Sequence, residues 1–333
     1  MNFDVTINTD DNYIQHAMAM LDSLYENNRD HSITVHVLQK NLSEQSKELL
    51  NVLSKRYDNK VLFYDVDESK LEGVQFRKNR PLSMAAYYRL LLSSVLPKEI
   101  DRVLYLDCDM IVLKDVSEVF SIELDDYALA ASLDHFPYDH QHRLQLHMDV
   151  GERTFCSGVM LVNLKYWRLH NVEDGLLEYA KRHRKTVYLH DQDVLNYFFK
   201  KKWFLLPPKW NRVACDVNTV KCNDYKAFDY YEYRYDPMII HYADLGIKPW
   251  LNFATPNRKY YLKYLKNSAF EPVSFQRGSF ALRLKAYKAI VTNFWGLVFS
   301  PYVPQIFKIV TNDIKVLLLF CVDRKKAFEK RFN

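Results

Sequence analysis

Short apolar runs rich in β-branched residues, at 3–9, 34–38 and 61–66, alternate along the first part of the chain with stretches whose apolar positions recur at helical spacing. Ile14, Ala17, Met18, Leu21, Leu24 and Tyr25 share one helix face. Leu49, Leu50, Leu53 and Tyr57 mark a second helix that Ser43 is placed to cap, and Ser83 is placed to start a third that runs through Leu92. Strand and helix alternating with short turns imply parallel pairing in an open α/β sheet. Ligands in such sheets sit beyond the carboxyl ends of the strands. Residues 127–133, ending at Asp134, and 158–163 add two more strand-like runs, with a helical stretch near 174–183. Another helix is predicted from Asp191, carrying Val194, Leu195, Tyr197 and Phe198, with Asp191 as its cap and Asp193 in the first turn, where the helix dipole favours an acid.

One run breaks its own pattern. Residues 103–113 read Val-Leu-Tyr-Leu-Asp-Cys-Asp-Met-Ile-Val-Leu, with the length and composition of a buried strand but two acids inside it. Residues i and i+2 of an extended chain point the same way, so Asp107 and Asp109 would present two carboxylates side by side. Like charges so placed need a cation between them, and an oxygen-preferring divalent ion such as Mg²⁺ or Mn²⁺ is the simplest one. The alternative is a strand-end turn or a helix cap.

Composition limits the rest. With 333 residues, 48% hydrophobic and 26% charged, the chain is sized and composed as a globular protein with a substantial core. Its 5 cysteines are scattered, with no Cys-x-x-Cys, which argues against a disulfide framework or a zinc site. Only 7 glycines occur, with no Gly-x-Gly-x-x-Gly or Walker loop, which argues against a glycine-cradled dinucleotide or triphosphate. Met-Asn-Phe-Asp-Val shows neither the basic nor the apolar segment of a signal peptide, so the expected location is cytoplasmic. From 277 to 333 there are 11 Lys/Arg against 3 acids, whereas the residues before them hold 35 against 38. Residues 289–307 are uncharged, but Pro301 and Pro304 argue against a membrane span. The expectation is a basic, aromatic tail lying on an anionic membrane surface at the inner face of the cell membrane. A helical subdomain with an ordinary basic face is the alternative. No nucleic-acid recognition motif accompanies the basic residues.

Six motifs occur in order: Thr-Asp-Asp-Asn-Tyr (9–13), Tyr-Arg-Leu (88–90), Leu-Asp-Cys-Asp (106–109), Ser-Gly-Val-Met-Leu-Val-Asn-Leu (157–164), Asp-Gln-Asp (191–193) and His-Tyr…Lys-Pro-Trp (241–250). In these the chain resembles, over roughly residues 1–260, the family-eight glycosyltransferases, retaining enzymes of GT-A fold that include bacterial lipopolysaccharide galactosyl- and glucosyltransferases. The resemblance implies an α/β GT-A domain at 1–265, a Rossmann-like open mixed sheet flanked by helices, followed by the basic tail at 266–333. It implies transfer of glucose or galactose from a UDP-hexose to a saccharide or glycolipid acceptor of a cell-surface glycan. Asp107, Asp109 and His241 are the implied ligands of Mn²⁺, with Mg²⁺ the alternative ion. Asp10 and Asn12 are the implied uracil and ribose contacts, Arg89 and Asp134 the groups near the donor hexose, and Lys248 the diphosphate contact. Asp191 is the implied sugar ligand, and Gln192 the polar group closest to the anomeric carbon. An amide side chain is a weak nucleophile, so front-face attack suits Gln192 better than a covalent intermediate.

Two departures from the family pattern stand out: Cys156 replaces a common Asn, and the 241–248 segment is one residue longer, with its Gly at 246. Phe136, Tyr138, Trp210 and Tyr230–Tyr233 are candidate acceptor platforms, and a basic loop at 76–82 is a candidate donor lid. A sugar-nucleotide hydrolase or nucleotidyltransferase, or a non-catalytic carbohydrate-binding relative, would share much of this pattern.

Overall fold

The computed structural model describes residues 1–74, 84–134, 144, 146–149, 152–183, 189–214, 227–243, 248–251 and 255–268. The helix start expected at Ser83, the 76–82 loop, Phe136, Tyr138, Gly246 and the 277–333 tail lie outside those residues.

The strands are β1 (Asn2–Asn8), β2 (Ser32–Gln39), β3 (Lys60–Asp65), β4 (Arg102–Leu106), β5 (Met110–Val112), β6 (Leu129–Leu133), β7 (Phe155–Asn163), β8 (Trp203–Leu205), β9 (Arg212–Val213) and β10 (Ile239–His241). The helices are α1 (Ile14–Glu26), α2 (Glu44–Arg56), α3 (Leu92–Val95), α4 (Ser117–Phe120), α5 (Leu164–Leu169), α6 (Val172–Arg182), α7 (Asp191–Phe198), α8 (Ala227–Tyr235) and α9 (Arg258–Lys266). The main sheet runs β3-β2-β1-β4-β7-β6-β8, and a small one runs β5-β10-β9. Strands β1 to β4 are mutually parallel, as their alternation with helices requires, whereas β7 runs antiparallel to both β4 and β6.

The apolar runs are continuous because both sheet faces are covered. Along β4, Leu104 and Leu106 join Val5, Ile7 and the α1 residues Ala17, Leu21 and Leu24 on one face. Val103 and Tyr105 join Met160, Val162 and the α6 and α7 residues Leu176 and Leu195 on the other. Truncating such a fully buried side chain to alanine costs about 2–5 kcal/mol.

The expected single strand at 103–113 is two. The chain bends at Cys108–Asp109, and the halves enter different sheets, β4 the large one and β5 the small one. A buried strand cannot carry two carboxylates through its middle, so the acids fall where the ladder ends. Ser43 does cap α2, its Oγ accepting the Ser46 N–H at 3.2 Å. Residues 84–91 form a 3₁₀ turn rather than the start of an α-helix, and only α3 continues it. Asp191 is not the cap of α7: His190 takes that position with φ 54°, and Asp193 Oδ2 accepts the Leu189 N–H at 2.8 Å.

Candidate active site

The bend after β4 is pinned on both sides. Asp107 N–H bonds Gly158 O at 2.9 Å, extending the β4–β7 ladder, while Asp109 O accepts the Tyr242 N–H at 2.9 Å just past β10. This backbone anchoring turns the two carboxylates toward His241, 132 residues after Asp109 in the chain, instead of leaving them parallel on one strand face.

Each acid has one oxygen committed. Asp107 Oδ1 accepts from Arg89 Nη2 at 2.7 Å and Tyr105 Oη at 2.8 Å. Asp109 Oδ2 pairs with Lys248 Nζ, which also donates to Tyr242 O at 2.6 Å. The other two oxygens face one ring nitrogen: His241 Nε2 lies 3.3 Å from Asp109 Oδ1 and 3.8 Å from Asp107 Oδ2. One ligand atom from each of Asp107, Asp109 and His241 thus falls within 4.8 Å of the others, a set that could hold a metal ion. Two hard carboxylate oxygens and one imidazole fit Mn²⁺, and Mg²⁺ less closely. Gly158 keeps the space open. A Cβ there would stand 2.5 Å from His241 Cε1, 2.8 Å from Met110 Cε and 2.9 Å from Asp107 Oδ2.

Electrostatics agree with a site that collects positive charge. Burial opposes ionisation of Asp109, but Lys248 and His241 override it and hold the carboxyl far below the usual range. Burial also disfavours the His241 imidazolium, yet Asp109 outweighs that and pushes the ring up to about 10. Lys248 and the raised His241 imidazole thus bring positive charge to the same two carboxylates that a divalent cation would satisfy.

Arg89 links this cluster to the second group of predicted residues. Expected as a group near the donor hexose, it is only 6% exposed. Nη1 bonds Ser157 O at 2.9 Å and Oγ at 3.1 Å, Nε bonds Ala86 O at 3.1 Å, and the guanidinium lies over the Tyr105 ring at 4.4 Å. Nε is also 3.2 Å from Asp191 Oδ2, which accepts Ser157 Oγ at 3.2 Å as well. Burial pushes Asp191 up to about 6, and Arg89 only partly offsets it. Gln192 Oε1 accepts the Ser157 N–H at 3.1 Å, and Nε2 donates to Asp134 Oδ2 at 2.7 Å. Asp107, Arg89, Ser157, Asp191, Gln192 and Asp134 therefore form one continuous network.

Asp10 and Asn12 stand apart from that network. Asp10 Oδ1 accepts the N–H groups of Asn12 and Tyr13 at 3.0 and 3.1 Å, an Asx turn between β1 and α1, and Asn12 is exposed. The turn still borders the site. Cys108 Sγ donates to Asn8 O at 3.2 Å, because β1 and β4 are paired neighbours. Beyond Tyr13, His16 stacks on Trp250 at 3.5 Å, under the segment that carries Lys248. Burial lowers His16 to about 3 and keeps that ring neutral.

Three aromatic candidates for the acceptor side are withdrawn: Trp210, Tyr231 and Tyr233 are buried. Cys156 faces the imidazole, its Sγ 4.0 Å from His241 Nδ1. Two residues escaped sequence reasoning. Tyr105 was within reach, since it shares strand parity with Asp107. Asn211, whose Oδ1 lies 3.0 Å from His241 Nδ1, gave no local signal.

The large open mixed sheet flanked by helices is a GT-A architecture. The galactosyltransferase LgtC, solved with donor and acceptor sugar analogues, superposes at a TM-score of 0.72 with 24% identity, covering 81% of this chain and 98% of that one. The sequence profile of glycosyl transferase family 8 matches residues 4–254, and the chain belongs to that family. It is 29% identical over 273 residues to a lipopolysaccharide 1,2-glucosyltransferase of Escherichia coli, spanning 80% of this chain and 78% of that protein. It is 27% identical over 271 residues to general stress protein A of Bacillus subtilis strain 168, spanning 79% and 93%.

Proposed function

We propose that this glycosyltransferase is a retaining hexosyltransferase that moves glucose or galactose from a UDP-sugar to a saccharide acceptor of lipopolysaccharide or another cell-surface glycan. The observation that carries the reading is the convergence of Asp107 Oδ2, Asp109 Oδ1 and His241 Nε2 at one end of the Arg89–Asp191–Gln192 network. The lipopolysaccharide glucosyltransferase and the galactosyltransferase LgtC among its relatives support the sugar class.

Asp107, Asp109 and His241 would hold Mn²⁺, which supplies Lewis-acid neutralisation of charge on the departing diphosphate. Lys248, released from Asp109, adds a second positive charge at the same leaving group. Asp10 and Asn12 bind the nucleoside, and Arg89, Asp134 and Asp191 shape the hexose pocket. Gln192 is held at both ends of its amide, by Ser157 and Asp134, with its oxygen already accepting a hydrogen bond. That leaves it suited to steady the positive anomeric carbon rather than to attack it. In front-face transfer the C1–O bond to phosphate breaks, and the acceptor oxygen bonds C1 on the same face. The acceptor proton passes to the departing phosphate oxygen. A trapped covalent adduct on Gln192 or Asp191 would overturn this step.

Among the described residues no helix is long and apolar enough to cross a membrane. The basic tail at 277–333 would hold the enzyme at the inner membrane face, and its deletion should release the protein from membranes without abolishing donor turnover. The test of function is UDP release with Mn²⁺ from UDP-glucose, UDP-galactose, UDP-N-acetylglucosamine and UDP-glucuronate. One donor should turn over, and Asp109→Asn should slow it by roughly a hundredfold or more. Release of sugar phosphate or pyrophosphate would favour a hydrolase or nucleotidyltransferase, and silence on all donors without UDP binding would favour a binding module.

A further inference from the structure

We infer that Asn211 is a positioning residue for the metal site, acting through the far side of the His241 ring. This rests on the reading of Asp107, Asp109 and His241 as metal ligands. An imidazole ligates through the nitrogen that carries no proton, so its other nitrogen must keep one, and whatever accepts that proton sets which face of the ring is available. His241 Nε2 faces the two aspartates, so Nδ1 is the nitrogen that must donate. The close oxygen on that side is Asn211 Oδ1, at 3.0 Å, while the Cys156 sulfur stands farther off at 4.0 Å.

Asn211 is built to hold that place. It is fully buried at the end of the 3₁₀ turn Pro208–Asn211, next to the buried Trp210. The backbone on either side is tied to the strand that carries His241. Met238 N–H bonds Lys209 O at 2.9 Å, β9 pairs in parallel with β10, and Ala214 N–H bonds His241 O at 2.8 Å. The amide, one residue before β9, and the imidazole at the end of β10 are therefore anchored to the same small sheet, and the ring has little freedom to turn Nε2 away from the carboxylates. A short rigid support of this kind is what a metal-ligating histidine requires to present a fixed lone pair.

Two substitutions of nearly the same shape separate positioning from packing. Asn211→Asp keeps the acceptor and strengthens it, so Mn²⁺ affinity should hold or rise. Asn211→Leu keeps the volume and removes the acceptor, so Mn²⁺ affinity should fall about 10- to 100-fold. Mn²⁺ titration of the full-length protein, followed by calorimetry, reads both, with thermal unfolding as the check on folding. Unchanged affinity in Asn211→Leu, or equal loss in both variants, overturns the role of Asn211 while leaving the metal site standing. Failure of the unsubstituted protein to bind Mn²⁺ overturns the metal reading and this inference together. Should neither variant fold, proton NMR of the unsubstituted protein with Mg²⁺ decides. A His241 Nδ1 proton protected from solvent exchange supports the bond to Asn211, and a freely exchanging one overturns it.

Discussion

At the carboxyl end of β1, Asp10 and Asp11 find their partners within the chain nearby or on the surface. Asp10 takes two backbone N–H groups of its own turn, and Asp11 takes the hydroxyls of Ser43 and Ser46. At the end of the neighbouring strand β4, Asp107 and Asp109 rely on Arg89, Lys248 and His241, brought from distant parts of the chain, and Asp191 shares Arg89 with them. The first pair is satisfied by backbone N–H groups and serine hydroxyls, with Asp11 exposed, so losing one partner should cost the fold little. The second is half-buried and satisfied only through the fold, by the buried Arg89, Lys248 and His241, so each cation removed leaves an acid uncompensated where the dielectric is reduced. The charges that stabilise the metal-free site are the same ones a substrate complex would have to displace or reuse.

The largest effect should come from Arg89→Met. It would strip the counter-ion from Asp107 and Asp191 together, at a position where the guanidinium also spends four of its five N–H donors on hydrogen bonds. Destabilisation of about 3–5 kcal/mol is expected in urea unfolding. Arg89→Lys should recover only part of it, because an ammonium cannot reproduce the forked contacts to Ser157 and Asp107. A loss below about 1 kcal/mol, the size of an exposed ion pair, would erase the contrast between the two regions.

Next is Gly158→Ala. Its Cβ would press on His241 and Asp107 from within 3 Å, in a place where both are fixed by backbone pairing. Stability should drop by about 1–3 kcal/mol, and Mn²⁺ affinity by about tenfold or more. Gly175→Ala is the internal control. Its Cβ meets only the ring of Phe198, which is partly exposed and can swing away, so Mn²⁺ binding should not change.

Much of the fold was legible because β1, α1, β2 and α2 bury apolar residues at periods that a local window detects. The Asp-Cys-Asp run was legible as two carboxylates brought close together but not as structure. Read as one strand, it is the point where β4 ends and the three-residue β5 crosses to a second sheet. Nothing within ten residues of β5 encodes that, since its partner β10 begins at Ile239. Asp191 was misplaced as a cap for a related reason. Its carboxylate is drawn away by Arg89, a partner about a hundred residues earlier, and Asp193 is left to satisfy the helix start. Trp210 was a candidate sugar platform on residue type alone, with core packing the alternative, and long-range pairing of the following β9 accompanies its burial.

A third test uses protons. His241 has its folded value raised from 6.5 to about 10, so its contribution to stability is complete below 6.5 and is lost as pH rises through 10. In metal-free protein this group should cost stability at up to about 1.4 kcal/mol per pH unit across that window. His241→Asn should flatten the slope. The same proton must leave when Nε2 takes a metal, so Mn²⁺ binding at pH 7 should release about one proton. Calorimetry in buffers of different ionisation enthalpy measures it. Binding without proton release would separate the imidazole from the metal.

The smallest effect belongs to the surface region. Ser43 caps α2 through the Ser46 N–H and donates its hydroxyl to Asp11 Oδ1 at 2.8 Å. The Ser46 hydroxyl, at 2.6 Å from the same oxygen, lowers the Asp11 carboxyl below its ordinary value. Ser43→Ala removes a cap and one hydrogen bond but strands no buried charge, because Asp11 keeps Ser46 and water. The expected cost is about 1 kcal/mol in urea unfolding, with donor turnover unchanged. The sign with pH is that of any depressed carboxyl: Asp11's share is present above its unfolded value and fades as the solution is acidified. Salt should leave that share largely intact, since neutral serine donors rather than a charged partner depress the carboxyl. If Ser43→Ala instead lowered Mn²⁺ affinity as strongly as Gly158→Ala, the start of α2 would be mechanically coupled to the metal-site network, and the contrast in how the two acidic regions are held would fail.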